Sequence, residues 1–204
     1  MASFPPDSRV YSEQEERTLA EQLQTIAARL HGGEFRERGL DVVFLCEIHA
    51  ALFRGVRGHA GQYRRDGYGQ EYLTFGPNRS VNRAEVPAQL ATIFEQATRN
   101  IRALDPSQER EEHEISAITT AVWLHAEIIR IHPFEDGNGR TSRLILDWVL
   151  LRLGLPMSPL EVPKQEYRAC LNLYFAARDL APLRDLYVRL LFDGLSKPSP
   201  HRPR

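Results

Sequence analysis

Lysine is nearly missing from this 204-residue sequence: it occurs only at Lys164 and Lys197, so almost all of the 26 basic residues are arginine. Arginine is the side chain suited to bidentate phosphate contacts. Cysteine is as scarce, and Cys46 and Cys170 show no C-x-x-C spacing, so neither a redox motif nor a zinc site is indicated and a reducing compartment fits. No apolar run approaches the roughly 18 residues needed to cross a bilayer, and the opening Met-Ala-Ser-Phe-Pro-Pro-Asp has no basic stretch followed by an apolar one. A cytoplasmic protein without a membrane partner is expected. The formal net charge of -1 removes the strongly basic balance of a nucleic-acid coat, and no basic patch interleaved with aromatics appears.

What is present suits one ordinary globular domain, with 42% hydrophobic and 26% charged residues. Helical periodicity dominates, so a mainly α fold is expected. A first helix should begin at Ser12, where Ser12 and Glu15 spell a capping box, and end at Gly32-Gly33. A second should run from Gly39 to Phe53. The glycine-punctuated stretch 55–82 breaks the helical pattern, and Tyr72-Leu73-Thr74-Phe75 within it reads as part of a short β-hairpin. Further helices are expected from Pro87 to Ala103, Glu112 to Arg130, Asn138 to Leu153, Pro163 to Arg178 and Pro182 to Gly194. The organisation expected is an N-terminal segment, 1–38, with the first helix and open to a regulatory role, a core domain, 39–194, and a disordered tail, 195–204.

Chemistry concentrates in residues 132–143, His-Pro-Phe-Glu-Asp-Gly-Asn-Gly-Arg-Thr-Ser-Arg. Gly137 and Gly139 permit positive φ and close backbone approach, and a helix opening at Asn138 adds free N–H groups and a positive dipole end, together an anion nest. Arg140 and Arg143, three apart, share a helix face and can reach one polyphosphate. Two arginines at a helix N-terminus oppose the dipole, a cost that a multiply charged anion would remove. Asp136 supplies an oxygen that could hold Mg²⁺ together with phosphate oxygens and water. His132 can act as a general base near neutral pH. Phe134 reads as core and His125 as structural.

These residues resemble the Fic motif, H-P-F-x-[DE]-G-N-G-R-x-x-R, at every defining position. The resemblance extends over Ile48–Phe53, Ala60–Arg64 and Tyr167–Leu171, about residues 40–190 in all. It implies a helical Fic fold with a β-hairpin flap, and transfer of AMP from ATP to a Tyr, Thr or Ser hydroxyl of a target protein with release of pyrophosphate. By matched position, His132 would deprotonate the hydroxyl and Asp136 would position Mg²⁺. Gly137, Asn138 and Gly139 would form the anion hole, and Arg140 and Arg143 would hold the outer phosphates. Tyr167 and Asn172 stand where adenine-side contacts occur, and the flap, near Tyr68–Phe75, would dock the target by β-augmentation.

Two questions stay open on the sequence. Many Fic proteins are inhibited by a helix carrying [ST]-x-x-x-E-[GN]. Ser12 and Glu16 have that spacing, but Arg17 replaces Gly or Asn and Ser12 already serves the capping box. The alternatives are an enzyme active alone, as in a toxin or effector, and one held by an antitoxin-like partner that supplies the glutamate to Arg143. The chemistry also has rivals: another phosphate donor, removal of AMP, or a non-catalytic module that binds nucleotide and peptide.

Overall fold

The start of each helix shows how local side chains shape this chain, whose computed structural model describes residues 11–105, 107–158 and 162–193. Helix α1 (Glu13–His31) opens on the expected capping box: Ser12 Oγ accepts from the Glu15 N–H at 3.3 Å, and the Glu15 carboxylate accepts from the Ser12 N–H at 2.8 Å. Helix α2 (Val42–Phe53) begins after Gly39, because the Asp41 side chain accepts from the Phe44 N–H at 2.8 Å and sets the start there.

A hairpin follows as expected, but at 74–79 and not at 68–75, and shorter than a regular ribbon. Strands β1 (Thr74–Phe75) and β2 (Asn78–Arg79) pair antiparallel, Thr74 opposite Arg79 and Phe75 opposite Asn78. Gly76, at φ 56°, takes the left-handed conformation that the two-residue connection needs. Helices α3 (Val86–Arg102), α4 (Arg110–Ile131), α5 (Asn138–Arg152), α6 (Lys164–Ala177) and α7 (Ala181–Asp193) complete the fold. Their starts lie within two residues of the positions expected. Gly194 and the expected tail lie outside the described residues.

Helix α4 is the centre. Residues all around its second half are buried, from Ala117 and Ile118 through Leu124 and Ile128 to Ile131, as a helix enclosed by neighbours requires. It packs against α5, α3 and α7, while α1 lies across α2 and α5. One buried carboxylate ties the layers: Glu127 accepts from Arg130 at 2.9 Å, Tyr174 at 2.6 Å and Arg178 at 2.5 Å, joining α4 to α6. The C-terminal end of α4 and the N-terminal end of α5 therefore meet at a fixed edge, bounded by the hairpin, α6 and the start of α1. Among the described residues no helix is long and apolar enough to cross a membrane.

Candidate active site

Helix α4 ends at His132, which is left-handed at φ 53° and ψ 60°. A non-glycine residue seldom adopts that conformation unless its surroundings hold it there. Arg64 is what holds it: this fully buried guanidinium donates to the His132 carbonyl at 2.8 and 3.0 Å and to the Ile131 carbonyl at 3.2 Å. It also donates to the carbonyls of Gln70, Glu71 and Val81, at the base of the hairpin. One cation thus caps the negative end of α4 and fastens the flap beside it.

The His132 ring is buried, and its Nδ1 donates to the Ile129 carbonyl at 3.2 Å, which leaves the lone pair on Nε2. Burial pushes its pKa down to about 4, against the Ile129 hydrogen bond that favours the charged form, so the imidazole is neutral at pH 7. Phe75 of β1 lies flat on it, with centroids 4.1 Å apart and planes 10° apart, and meets Phe175 of α6 edge-on at 5.9 Å. These rings border a cleft of about 470 Å³ lined also by Ile129, Gly139, Tyr167 and Leu171. Next to it a space of about 180 Å³ is lined by Arg143, Lys164 and Arg168, so an apolar compartment opens beside a basic one.

Asp136 is held on every side. Its Oδ1 accepts from the Gly137 N–H at 2.6 Å, its carbonyl from His49 Nε2 at 3.0 Å, and its Oδ2 from the phenol of Tyr11, with Arg57 Nε 3.4 Å from the same oxygen. His49 is itself stacked on Phe134 at 3.8 Å and accepts from the Gly61 N–H at 2.8 Å; its burial lowers its pKa to about 4. Burial first, and then the Asp136 hydrogen bond, push the Tyr11 hydroxyl up to about 12, so it remains a donor. Among the described residues no three His, Cys, Asp or Glu side chains cluster to hold a metal ion. A lone carboxylate still suits Mg²⁺, which keeps its waters and shares phosphate oxygens.

Gly137, at φ 79°, precedes α5 with Phe53 packed so closely that a Cβ would lie 2.1 Å from its ring. The side chain of Asn138 turns inward and braces the loop, donating to the Phe134 carbonyl and accepting from the Phe134 N–H, both at 2.8 Å. Asn138 can therefore offer an anion its backbone N–H and not its amide. Gly139 has nothing within 4 Å of a Cβ position and borders both compartments. Arg140 lies 4.9 Å from the Tyr11 ring and 5.4 Å from that of Phe53, and its Nη1 is buried with no hydrogen-bond partner among the described residues. Arg143 donates to the Gly139 carbonyl at 3.2 Å. A guanidinium with one buried nitrogen that lacks an acceptor, beside the free N–H groups that open a helix, is suited to an anion.

The remaining expected residues divide. Tyr167 lines the large cleft while its hydroxyl meets the buried His125 Nε2 at 2.8 Å. Asn172 also lines it, and its Oδ1 accepts from Asn78 Nδ2 at 2.8 Å, so that residue clasps the flap to α6. The Glu16 side chain is exposed and makes no hydrogen bond or ion pair among the described residues, with Arg143 or any other; only its N–H is engaged, by the Ser12 carbonyl. The start of α1 reaches the site instead, through Glu15, 2.9 Å from Arg57, and through Tyr11, which precedes the cap. Sequence reasoning gave no role to Tyr11, Arg57 or Arg64, although Arg57 and Arg64 fall in the glycine-punctuated stretch 55–82 that it had marked.

Comparison with known proteins agrees with this geometry. The chain is 37% identical over 155 residues to the Protein adenylyltransferase Fic of Drosophila persimilis, covering 72% of this chain and 26% of that protein. It is 33% identical over 153 residues to that of Drosophila yakuba, covering 72% and 27%. It thus spans about a quarter of the length of the curated relatives it matches. A Fic-domain signaling protein from Bacteroides thetaiotaomicron superimposes with a TM-score of 0.68 at 22% identity, over 89% of this chain and 70% of that one. BepC of Bartonella tribocorum, solved with bound AMPPNP, gives 0.68 at 16% identity over 87% and 86%. The profile described as the Fic/DOC family matches residues 39–150, more than half of the sequence. With that span covering the flap, both site helices and the loop between them, the chain belongs to the Fic/DOC family.

Proposed function

We propose that this chain transfers AMP from ATP to a Tyr, Thr or Ser hydroxyl of a target protein in the cytoplasm. The observation that carries the reading is His132, neutral, fixed by the Ile129 carbonyl at Nδ1 and set on the apolar cleft that adjoins a basic compartment. The name of the Drosophila relatives, protein adenylyltransferase, supports the same chemistry.

In this reading the adenosine lies in the apolar compartment, against Tyr167 and beneath the flap. The first N–H groups of α5 and the guanidiniums of Arg140 and Arg143 hold the triphosphate. Preorganised donors of this kind contribute most of what phosphoryl chemistry asks of a protein. The target segment lies along the flap edge with its hydroxyl at His132 Nε2. His132 takes the hydroxyl proton as that oxygen attacks the α-phosphorus; the bond to the bridging oxygen breaks and pyrophosphate leaves. Mg²⁺ shared between Asp136 and the phosphates would supply charge neutralisation. An antitoxin-like protein offering a glutamate to Arg143 belongs to the proposal as a regulator, since Glu16 is not placed to do so.

Mass spectrometry tests it. Purified protein incubated with ATP, Mg²⁺ and cell lysate should yield an adenylyl adduct on a hydroxyl side chain, and His132→Ala should yield none while still binding nucleotide. Adduct formed equally by the variant would refute the assignment.

A further inference from the structure

Tyr11 precedes the cap of α1, yet its phenol donates to Asp136, 125 positions away in the chain. The contact is one of several. The Arg57 guanidinium lies 4.2 Å from the centre of the Tyr11 ring and that of Arg140 lies 4.9 Å from it. Arg57 is also 3.4 Å from Asp136 Oδ2 and 2.9 Å from Glu15, which the capping box fixes one turn after Tyr11. The tether is therefore anchored where it lies.

Three consequences follow from the geometry. Both oxygens of the carboxylate that would face a metal ion are already engaged, Oδ1 by Gly137 and Oδ2 by Tyr11 and Arg57. These donors do at Asp136 what a cation would do, and hold the carboxylate without one. Beside them two guanidinium nitrogens, Arg57 Nη2 and Arg140 Nη1, are buried with no partner among the described residues, although the Arg57 side chain is only 6% exposed. Buried N–H groups left without acceptors are costly, and here two flank the same aromatic ring.

We propose that Tyr11 is a tethered occupant of the nucleotide seat, which the metal-bound triphosphate displaces from Asp136, Arg57 and Arg140. The phosphate oxygens then become the acceptors that Arg57 Nη2 and Arg140 Nη1 lack, which makes Arg57 a phosphate-binding residue outside the 132–143 motif. The device differs from a glutamate placed on Arg143, because a hydroxyl on the metal-binding carboxylate does the blocking. It rests on the nucleotide reading above.

Calorimetric titration of the full chain with ATP separates the parts, in Mg²⁺ and again in EDTA, for wild type, Tyr11→Phe and Tyr11→Ala. Tyr11→Phe removes only the hydroxyl, so Mg²⁺-ATP should bind roughly tenfold tighter or more, the scale of one hydrogen bond to a charged group, with metal-free ATP unchanged. Tyr11→Ala uncovers the arginines as well and should tighten both. Each variant should also melt at a lower temperature without nucleotide; a purely structural tyrosine would show that loss of stability with no gain in affinity. Binding equal to or weaker than wild type in both variants overturns the proposal while leaving the nucleotide reading intact. No ATP binding by any of the three proteins overturns the nucleotide reading, and this inference with it.

Discussion

The ring of Phe75 lies on the imidazole of His132 at 4.1 Å, with the two planes 10° apart, so the tip of the flap and the proposed base form one packed unit. Such a stack contributes about 0.5–1.5 kcal/mol beyond the area it buries. It also places a flap residue directly over the site of proton transfer.

Phe75→Ala should slow target labelling by up to about tenfold, because the flap loses the contact that registers it on His132. The melting temperature should fall by only a few degrees, roughly what a loss of 1 kcal/mol brings about in a domain of this size. Initial rates with a fixed target and thermal melts of the same preparation check it. An unchanged rate would show that the stack does not position the flap.

Two glycines two positions apart should fail in different ways. At Gly137, φ 79° and a ring 2.1 Å from the Cβ position make Gly137→Ala both strained and overpacked, a cost of roughly 2–5 kcal/mol in urea unfolding. At Gly139 there is nothing within 4 Å, so Gly139→Ala should fold with nearly wild-type stability and yet bind ATP more weakly, its methyl pointing at the two compartments. Equal stability of the two variants would contradict the packing described for Phe53.

Stability should fall as pH drops below 6.5. Burial holds His49 and His132 down near a pKa of about 4 and His125 near about 3, whereas the unfolded chain takes up these protons near 6.5. Between those limits the unfolded state binds more protons, and each histidine removes up to about 1.4 kcal/mol per pH unit. Asp147, pushed up to about 6 by burial, acts the other way, gaining a native-state proton as pH falls, but it is one group against three. The urea midpoint should therefore be lower at pH 5 than at pH 7, and a midpoint equal or higher at pH 5 would refute the neutral, buried state of these rings.

What could be read from the sequence was what is local in it. Helix starts were legible at Ser12 and at the prolines because capping chemistry acts over three or four residues, and the start of α2 was misplaced at Gly39 only because the Asp41 cap was overlooked. The loop 132–143 was legible because its functional groups are contiguous. The residues missed act across the chain: Tyr11 reaches Asp136 over 125 positions and Arg64 reaches His132 over 68. No periodicity or spacing marks such pairs. Asn172 was legible as a residue near the cleft, but its bond to Asn78 depends on how far the hairpin folds over α6.

The central claim, transfer of AMP, is tested most directly by following both ends of the donor. ATP labelled on the α-phosphorus and, with a different isotope, on the γ-phosphorus is incubated with the protein, Mg²⁺ and its target, and the label is read on the protein and in the released product. The account predicts the α label on protein and the γ label in free pyrophosphate, both lost in His132→Ala. A γ label on protein, or release without any protein-bound label, would contradict it.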